Sequence, residues 1–191
     1  MSADDHRLIA ECLNGDTLAF GELIRRYQDR LFNTVYRLLG SIEDAQDVVQ
    51  DTFLNAYRSL DSFKGDAEFF TWLYRIAWNT AASLKRKQKA ALSLHAGRNG
   101  QGAIDPLDSS ESNQPGHALE KAEQENRVQQ ALNRLSPEHR AVLILKEMEG
   151  QRYEDIADIL QVPVGTIRSR LHRARMELRE ILERDDDLGP D

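Results

Sequence analysis

The residues of this 191-residue chain best suited to chemistry are cations, gathered in two stretches that contain no acid. One runs from Arg75 to Lys89 and holds Arg75, Lys85, Arg86, Lys87 and Lys89; the other, Arg168 to Arg175, holds four arginines in eight residues. Guanidinium forks match phosphate oxygens and the paired acceptors of guanine. The whole chain carries 25 Lys+Arg against 32 Asp+Glu, a formal charge of −7. Two basic patches on an acidic background point to local anion contacts, not to general stickiness.

Six of the chain's thirteen aromatics crowd the segment just before the first patch: Phe63, Phe69, Phe70, Trp72, Tyr74 and Trp78. Aromatics beside cations suit single-stranded nucleic acid, since every base offers a stacking face and every phosphate a charge. An extruded base could enter a pocket there, with Asn79 reading its edge. Alternatively these rings fill the core of a small domain, and about half of them, including Phe70, are expected to do so. Catalytic or metal-binding groupings are not found. His6, His95, His117, His139 and His172 are scattered, Cys12 is the lone cysteine, and no Gly-rich phosphate loop precedes a helix. No metal or cofactor is expected.

The elements that must position these residues read as helices throughout, so the expected fold class is all-α. Asp16 or Thr17 caps a helix running to Leu39 with Phe20, Leu23, Ile24, Tyr27, Leu31, Val35 and Leu38 on one face; Gly40 stops it. Ser41 and Asp44 suggest a capping box for the next helix, which buries Ala45, Val49, Thr52, Phe53, Ala56 and Leu60. Its outward face carries Asp44, Asp47, Gln50, Asp51 and Arg58 around Leu54, the layout of a small protein-docking hot spot as well as of a solvated face. Asp66 is expected to cap a third long helix reaching Lys87. Residues 91–118, rich in Gly, Ser, Asn and Pro, read as a linker between two small domains, 1–90 and 119–184, with an acidic tail over 185–191.

In the second domain, Ser136-Pro137-Glu138 is a strong helix start. Beyond it, YEDIADILQVPVGTIRSRLHRARMELREIL has the layout of a helix-turn-helix. Ile156, Ala157 and Leu160 pack inward, Val162 plugs the angle, and Gln161 stands where many such turns hold glycine. At about 100° per residue, Ile167, Leu171, Ala174 and Leu178 form one stripe. Opposite lie Ser169 and His172, flanked by Arg168 and Arg173, as base reading in a major groove requires. Arg170 and Arg175 lie further round, in reach of phosphates.

Together, DAQDVVQDTFLNAYRSLDSFKGDAEFFTWLYRIAWNTA and LSPEHRAVLILKEMEGQRYEDIADILQVPVGTIRSRLHRARMEL closely resemble the extracytoplasmic-function sigma factors of bacterial RNA polymerase, most of all the sigma E type. The resemblance spans residues 5–183. It implies a region 2 domain that melts promoters and a region 4 helix-turn-helix domain. It implies that the Asp44, Asp47, Gln50, Asp51, Leu54 and Arg58 face docks on the clamp helices of the polymerase beta-prime subunit, with region 4 on the beta flap. It further implies that Phe63, Lys64, Phe69, Trp72, Tyr74, Arg75, Asn79, Lys85 and Arg86 open and read the minus-ten element, and that Arg168, Ser169, His172 and Arg173, with Arg170 and Arg175, read the minus-thirty-five element. The linker acids Asp105, Asp108 and Glu111 would thread toward the active-site channel. Housekeeping members carry a further helical domain that 28 linker residues cannot hold, which supports the minimal class. Trp78 and His172 depart from the residue types common at those positions.

The expected function is therefore a non-enzymatic specificity subunit that brings core polymerase to a promoter subset and helps open it. Its expected partners are core polymerase, promoter DNA and an anti-sigma factor. No small-molecule substrate and no direct membrane insertion are expected. No apolar run approaches the roughly 20 residues of a spanning helix, so the expected place is the cytoplasm, with tethering at the inner membrane only through the anti-sigma factor. A one-component regulator would share the helix-turn-helix but predicts a ligand or receiver domain, and the N-terminal half lacks strand–helix alternation.

Overall fold

The computed structural model describes residues 2–96 and 117–187, with side chains for 2–91 and 123–185. All regular structure among them is helical: α1 (Ala3–Leu13), α2 (Thr17–Leu39), α3 (Ile42–Arg58), a 3-10 turn (Leu60–Ser62), α4 (Phe69–Ala96), α5 (His117–Arg134), α6 (Pro137–Leu143), α7 (Tyr153–Leu160) and α8 (Val164–Asp187). The expected all-α class and helical halves are found. Asp105, Asp108 and Glu111 lie outside the described residues.

Local chemistry explains most of the boundaries. Asp16 caps α2 by accepting from the Leu18 amide at 2.9 Å, and Gly40, at φ 74°, closes it by donating to the Tyr36 carbonyl. Only glycine adopts that left-handed conformation without strain, and a Cβ here would meet the Asn133 side chain at 2.5 Å. Ser41 caps α3 through the Asp44 amide, but the expected reciprocal bond is not made. The Asp44 carboxylate instead takes Lys85 Nζ at 3.1 Å and Gln88 Nε2 at 2.9 Å, both from α4.

Two further expectations are corrected, and one helix is added. Asp66 does not cap α4: the loop runs on through Gly65 (φ 79°), and the helix begins at Phe69, where Phe63 folds back onto the Phe69 and Trp72 rings. Helix α8 continues through Asp187, so Asp185 belongs to a helix rather than a tail and accepts from Arg134 at 2.7 Å. Helix α1 was not expected at all. It is started by a full Ser2/Asp5 capping box and fastened to α2 by Arg26 (2.6 Å) and Tyr27 (2.8 Å) on the buried Asp5 carboxylate. Burial works to raise the pKa of Asp5, but the bonds from Tyr27, Ser2 and Arg26 together hold it below the usual 3.8. The anchor is thus fully present above ordinary carboxylate pKa values and is lost as pH falls through the lowered one.

The buried side chains make one continuous cluster running through both halves. In the first half it is built on Leu23, Leu31, Val35, Ala45, Ala56, Phe69, Phe70 and Leu73; in the second, on Leu132, Val142, Ile144, Leu145, Ile156, Ile159 and Ile167. Helix α4 packs on α7, and α2 packs on both α5 and α6. Beyond Leu143 the chain widens into a π-helical turn over Ile144–Met148, and Gly150 (φ 65°) ends it. That turn delivers Glu149 against α2, where it meets Arg30 at 2.7 Å and Thr34 at 2.5 Å.

Candidate nucleic-acid interface and docking face

Helix α8 keeps the division expected from its periodicity. Ile167, Leu171 and Ala174 are buried and Leu178 is partly buried, while Arg168, Ser169, His172 and Arg173 are exposed. The helix is aimed by α7, whose Ile156, Ala157 and Leu160 are buried against it, with Val162 packed into the angle. The turn between them places Gln161 in the left-handed region (φ 56°), and its side chain donates to the Asp158 carbonyl at 3.2 Å. Arg168 lies 5.9 Å from the Tyr153 ring centroid, a cation–π contact that leaves its outer edge in solvent. Arg170 is half-buried. Arg175 is already engaged: its Nε and Nη2 donate to Glu147 Oε1 at 3.0 and 2.5 Å.

The first half distributes its candidates differently. Phe69, Phe70, Trp72 and Tyr74 are buried, and Phe63 and Trp78 are partly buried. Four of the six clustered rings are therefore core, more than the half expected. Phe69, Trp72 and Tyr74 offer no stacking face in this arrangement. The physical reason is density: FFTWLYRIAW is apolar almost all the way round, and such a helix must be covered on several sides. Tyr74 is wholly enclosed, and burial, with the Glu149 carboxylate second, raises its phenol pKa above the usual 10.

The cations of α4 stay nearer the surface. Lys64, Lys85 and Arg86 are exposed and Asn79 is exposed. Arg75, half-buried, pairs with Asp158 of α7 at 3.2 Å. Lys85 pairs with Asp44, and Arg86 donates to Ser83 Oγ at 3.0 Å.

The expected single face on α3 is in fact two. Asp47 and Asp51 line a groove of about 410 Å³ shared with Asn79 and Lys87 of α4. Gln50 and Leu54 turn the other way, into a groove of about 770 Å³ between α2 and α3 floored by Phe20, Phe32, Val49 and Phe53. Leu54 and Tyr57 stand 48% and 46% exposed at its edge. Arg58 is exposed at the end of α3. Tyr57 was missed in the sequence, although its place three residues after Leu54 puts both on one face.

Residues 23–91 match the family Sigma-70 region 2, and residues 125–178 match Sigma-70, region 4. The chain is 37% identical to the RNA polymerase sigma-H factor of Pseudomonas aeruginosa over 94% of each chain. It is 38% identical to the ECF RNA polymerase sigma-E factor of Escherichia coli K12 over 90% of each. Two solved structures match at TM-score 0.68 and 30% identity. One is CnrH in complex with the cytosolic domain of CnrY, matched over 95% of this chain and 99% of that one. The other is the sigma factor RpoE with the anti-sigma factor NepR from Bartonella quintana, over 86% and 96%.

Proposed function

As this chain belongs to the extracytoplasmic-function sigma factors of bacterial RNA polymerase, we propose that its two halves divide promoter recognition between them. The four side chains on the outer face of α8 carry this reading. Arg168 and Arg173 present forks to guanine edges or phosphates of the minus-thirty-five element, and Ser169 and His172 fill the face between them. Arg170 and Arg175 steady the backbone, Arg175 after exchanging Glu147 for a phosphate.

In the first half, Lys64, Arg75, Asn79, Lys85 and Arg86 meet the minus-ten element with Phe63 at the loop. Phe69, Trp72 and Tyr74 act from beneath, as the packed bed that holds that segment. The α2–α3 groove at Leu54 and Gln50 receives the clamp helices of the beta-prime subunit, with Asp44, Asp47, Asp51 and Arg58 around it; region 4 meets the beta flap. The chemistry of RNA synthesis belongs to the polymerase, and this chain contributes binding and strand separation. Its anionic total makes the free chain a weak, salt-sensitive DNA binder. The anti-sigma factor of the Bartonella neighbour supports a partner of the same kind here, acting in the cytoplasm or from the inner membrane.

Run-off transcription with core polymerase on a genomic promoter library tests this. Added chain should produce new starts that share two upstream elements at fixed distances. Direct binding of the chain alone to duplex operators, with no new starts, would replace this reading with that of a one-component regulator.

A further inference from the structure

We propose that Tyr153 is a specificity-determining positioning residue: its ring steadies the Arg168 guanidinium without taking up the donors that read a guanine. The proposal rests on the base-reading role given to Arg168 above. Three observations carry it.

The first is how the ring is fixed. Tyr153 is the first residue of α7 and packs, partly buried, against the core. The π-helical turn over Ile144–Met148 brings Lys146 over the same ring, with Nζ 5.0 Å from its centroid. Lys146 is itself tied to the backbone beside the ring, donating to the Gln151 carbonyl at 3.0 Å. The ring thus has a packed base and a fixed neighbour.

The second is what holds Arg168. Its guanidinium carbon lies 5.9 Å from the Tyr153 centroid, and among the described residues Arg168 has no hydrogen bond or ion pair. Other arginines of this half are held by acids: Arg152 by Asp155, Arg175 by Glu147 and Arg179 by Glu183. A carboxylate occupies the donors it binds, and it must be given up before they can meet a base. A ring attracts the cation as a whole, with no lone pair directed at any one donor, so the fork keeps its edge for a base. Nor does the ring set a full negative charge toward the phosphates.

The third is the contrast with Arg173. It stands on the same exposed face of α8, and among the described residues it has neither hydrogen bond, ion pair nor ring against it. Ordering a long side chain at an interface costs free energy, and one already restrained loses less. A fork held in one place also rejects the wrong base more sharply than one free to shift. Of the two forks, Arg168 is the one prepared in advance.

The test is transcription by holoenzyme, containing the full chain, from promoters varied one base pair at a time across the minus-thirty-five element. Arg168→Ala marks the pair that Arg168 reads. Tyr153→Leu fills the site without a ring. It should relax discrimination at that pair by about two- to fivefold, the worth of a cation–π contact at an exposed site, and leave every other pair as in wild type. Tyr153→Phe, which keeps the ring, should behave as wild type. Tyr153→Leu added to Arg168→Ala should change nothing further. Tyr153→Met repeats the leucine test with a more adaptable side chain, and circular dichroism selects the folded variant. A uniform loss across all pairs overturns the proposal, and so does Tyr153→Phe behaving like Tyr153→Leu, since the hydroxyl would then carry the effect. If Arg168→Ala relaxes one pair and Tyr153→Leu does not, the positioning alone falls. If Arg168→Ala alters no pair, the reading of Arg168 falls and the role of Tyr153 with it.

Discussion

Helices α4 and α8 both carry a run of cations on an apolar stripe, yet they treat their chemistry in opposite ways. In α8 the stripe of Ile167, Leu171 and Ala174 is narrow, and Arg168, Ser169, His172 and Arg173 stand clear of it in solvent. In α4 the aromatics take up nearly the whole circumference over Phe69–Tyr74, and the nearest cation, Arg75, is drawn into a pair with the other half. A segregated helix can display its function while folded. An unsegregated one needs cover on several sides, and here α2, α3 and α7 supply it together.

The sharpest way to break this comparison is to truncate a ring. Phe69 is fully buried among Tyr27, Phe63 and Trp72, so Phe69→Ala should cost about 3–5 kcal/mol of stability. Thermal unfolding of the full chain checks it. A loss under about 1 kcal/mol would mean that the aromatics of α4 are not structural and that the contrast with α8 is misplaced.

Next in size is the α2–α3 groove proposed for docking. Leu54→Arg puts a charge at the lip of an apolar trough, in place of a side chain that is already about half exposed. Core polymerase should be lost by at least about 30-fold, the equivalent of about 2 kcal/mol at a hot spot, with melting unchanged. Normal retention of core enzyme on the tagged variant would move the docking face elsewhere, to the Asp47 and Asp51 side of α3.

The α8 counterpart of Phe69→Ala is Arg168→Ala. It should leave stability within about 0.5 kcal/mol and relax minus-thirty-five discrimination by about 1–3 kcal/mol. Transcription from a set of promoter variants reads the change. Unaltered base preference would take Arg168 out of the reading set and leave Arg173 as the remaining fork.

How much of this was legible in the sequence follows the same contrast. The α8 face could be read from spacing alone, because one stripe and one exposed face are local facts about one helix. The caps at Asp16, Ser41 and Ser136 were legible for the same reason. The Ser2/Asp5 box is equally local, two residues three apart at the start of one helix. The division of the α3 face was not legible, since it depends on which side α2 and α4 approach. Nor were Arg140, Gln129 and Glu149, which read in sequence as ordinary polar helix residues. A polar side chain that bridges two helices a hundred residues apart leaves no periodic trace.

The smallest expected effect concerns the turn that sets the angle of α8. Gln161 sits at φ 56°, ψ 44°, a conformation that costs an L-residue roughly 1–2 kcal/mol and glycine little. Gln161→Gly removes that strain but adds freedom to the unfolded chain, worth about 0.4–1 kcal/mol, and gives up an exposed bond to the Asp158 carbonyl. The balance favours the variant by about 0.5–1 kcal/mol. Denaturant midpoints should rise while promoter preference stays as it is, because the αL geometry that aims α8 is kept. A fall in stability would mean that the Gln161 side chain does more at the turn than bond its own helix end. The outer face of α8 would then depend on that contact as well as on its apolar stripe.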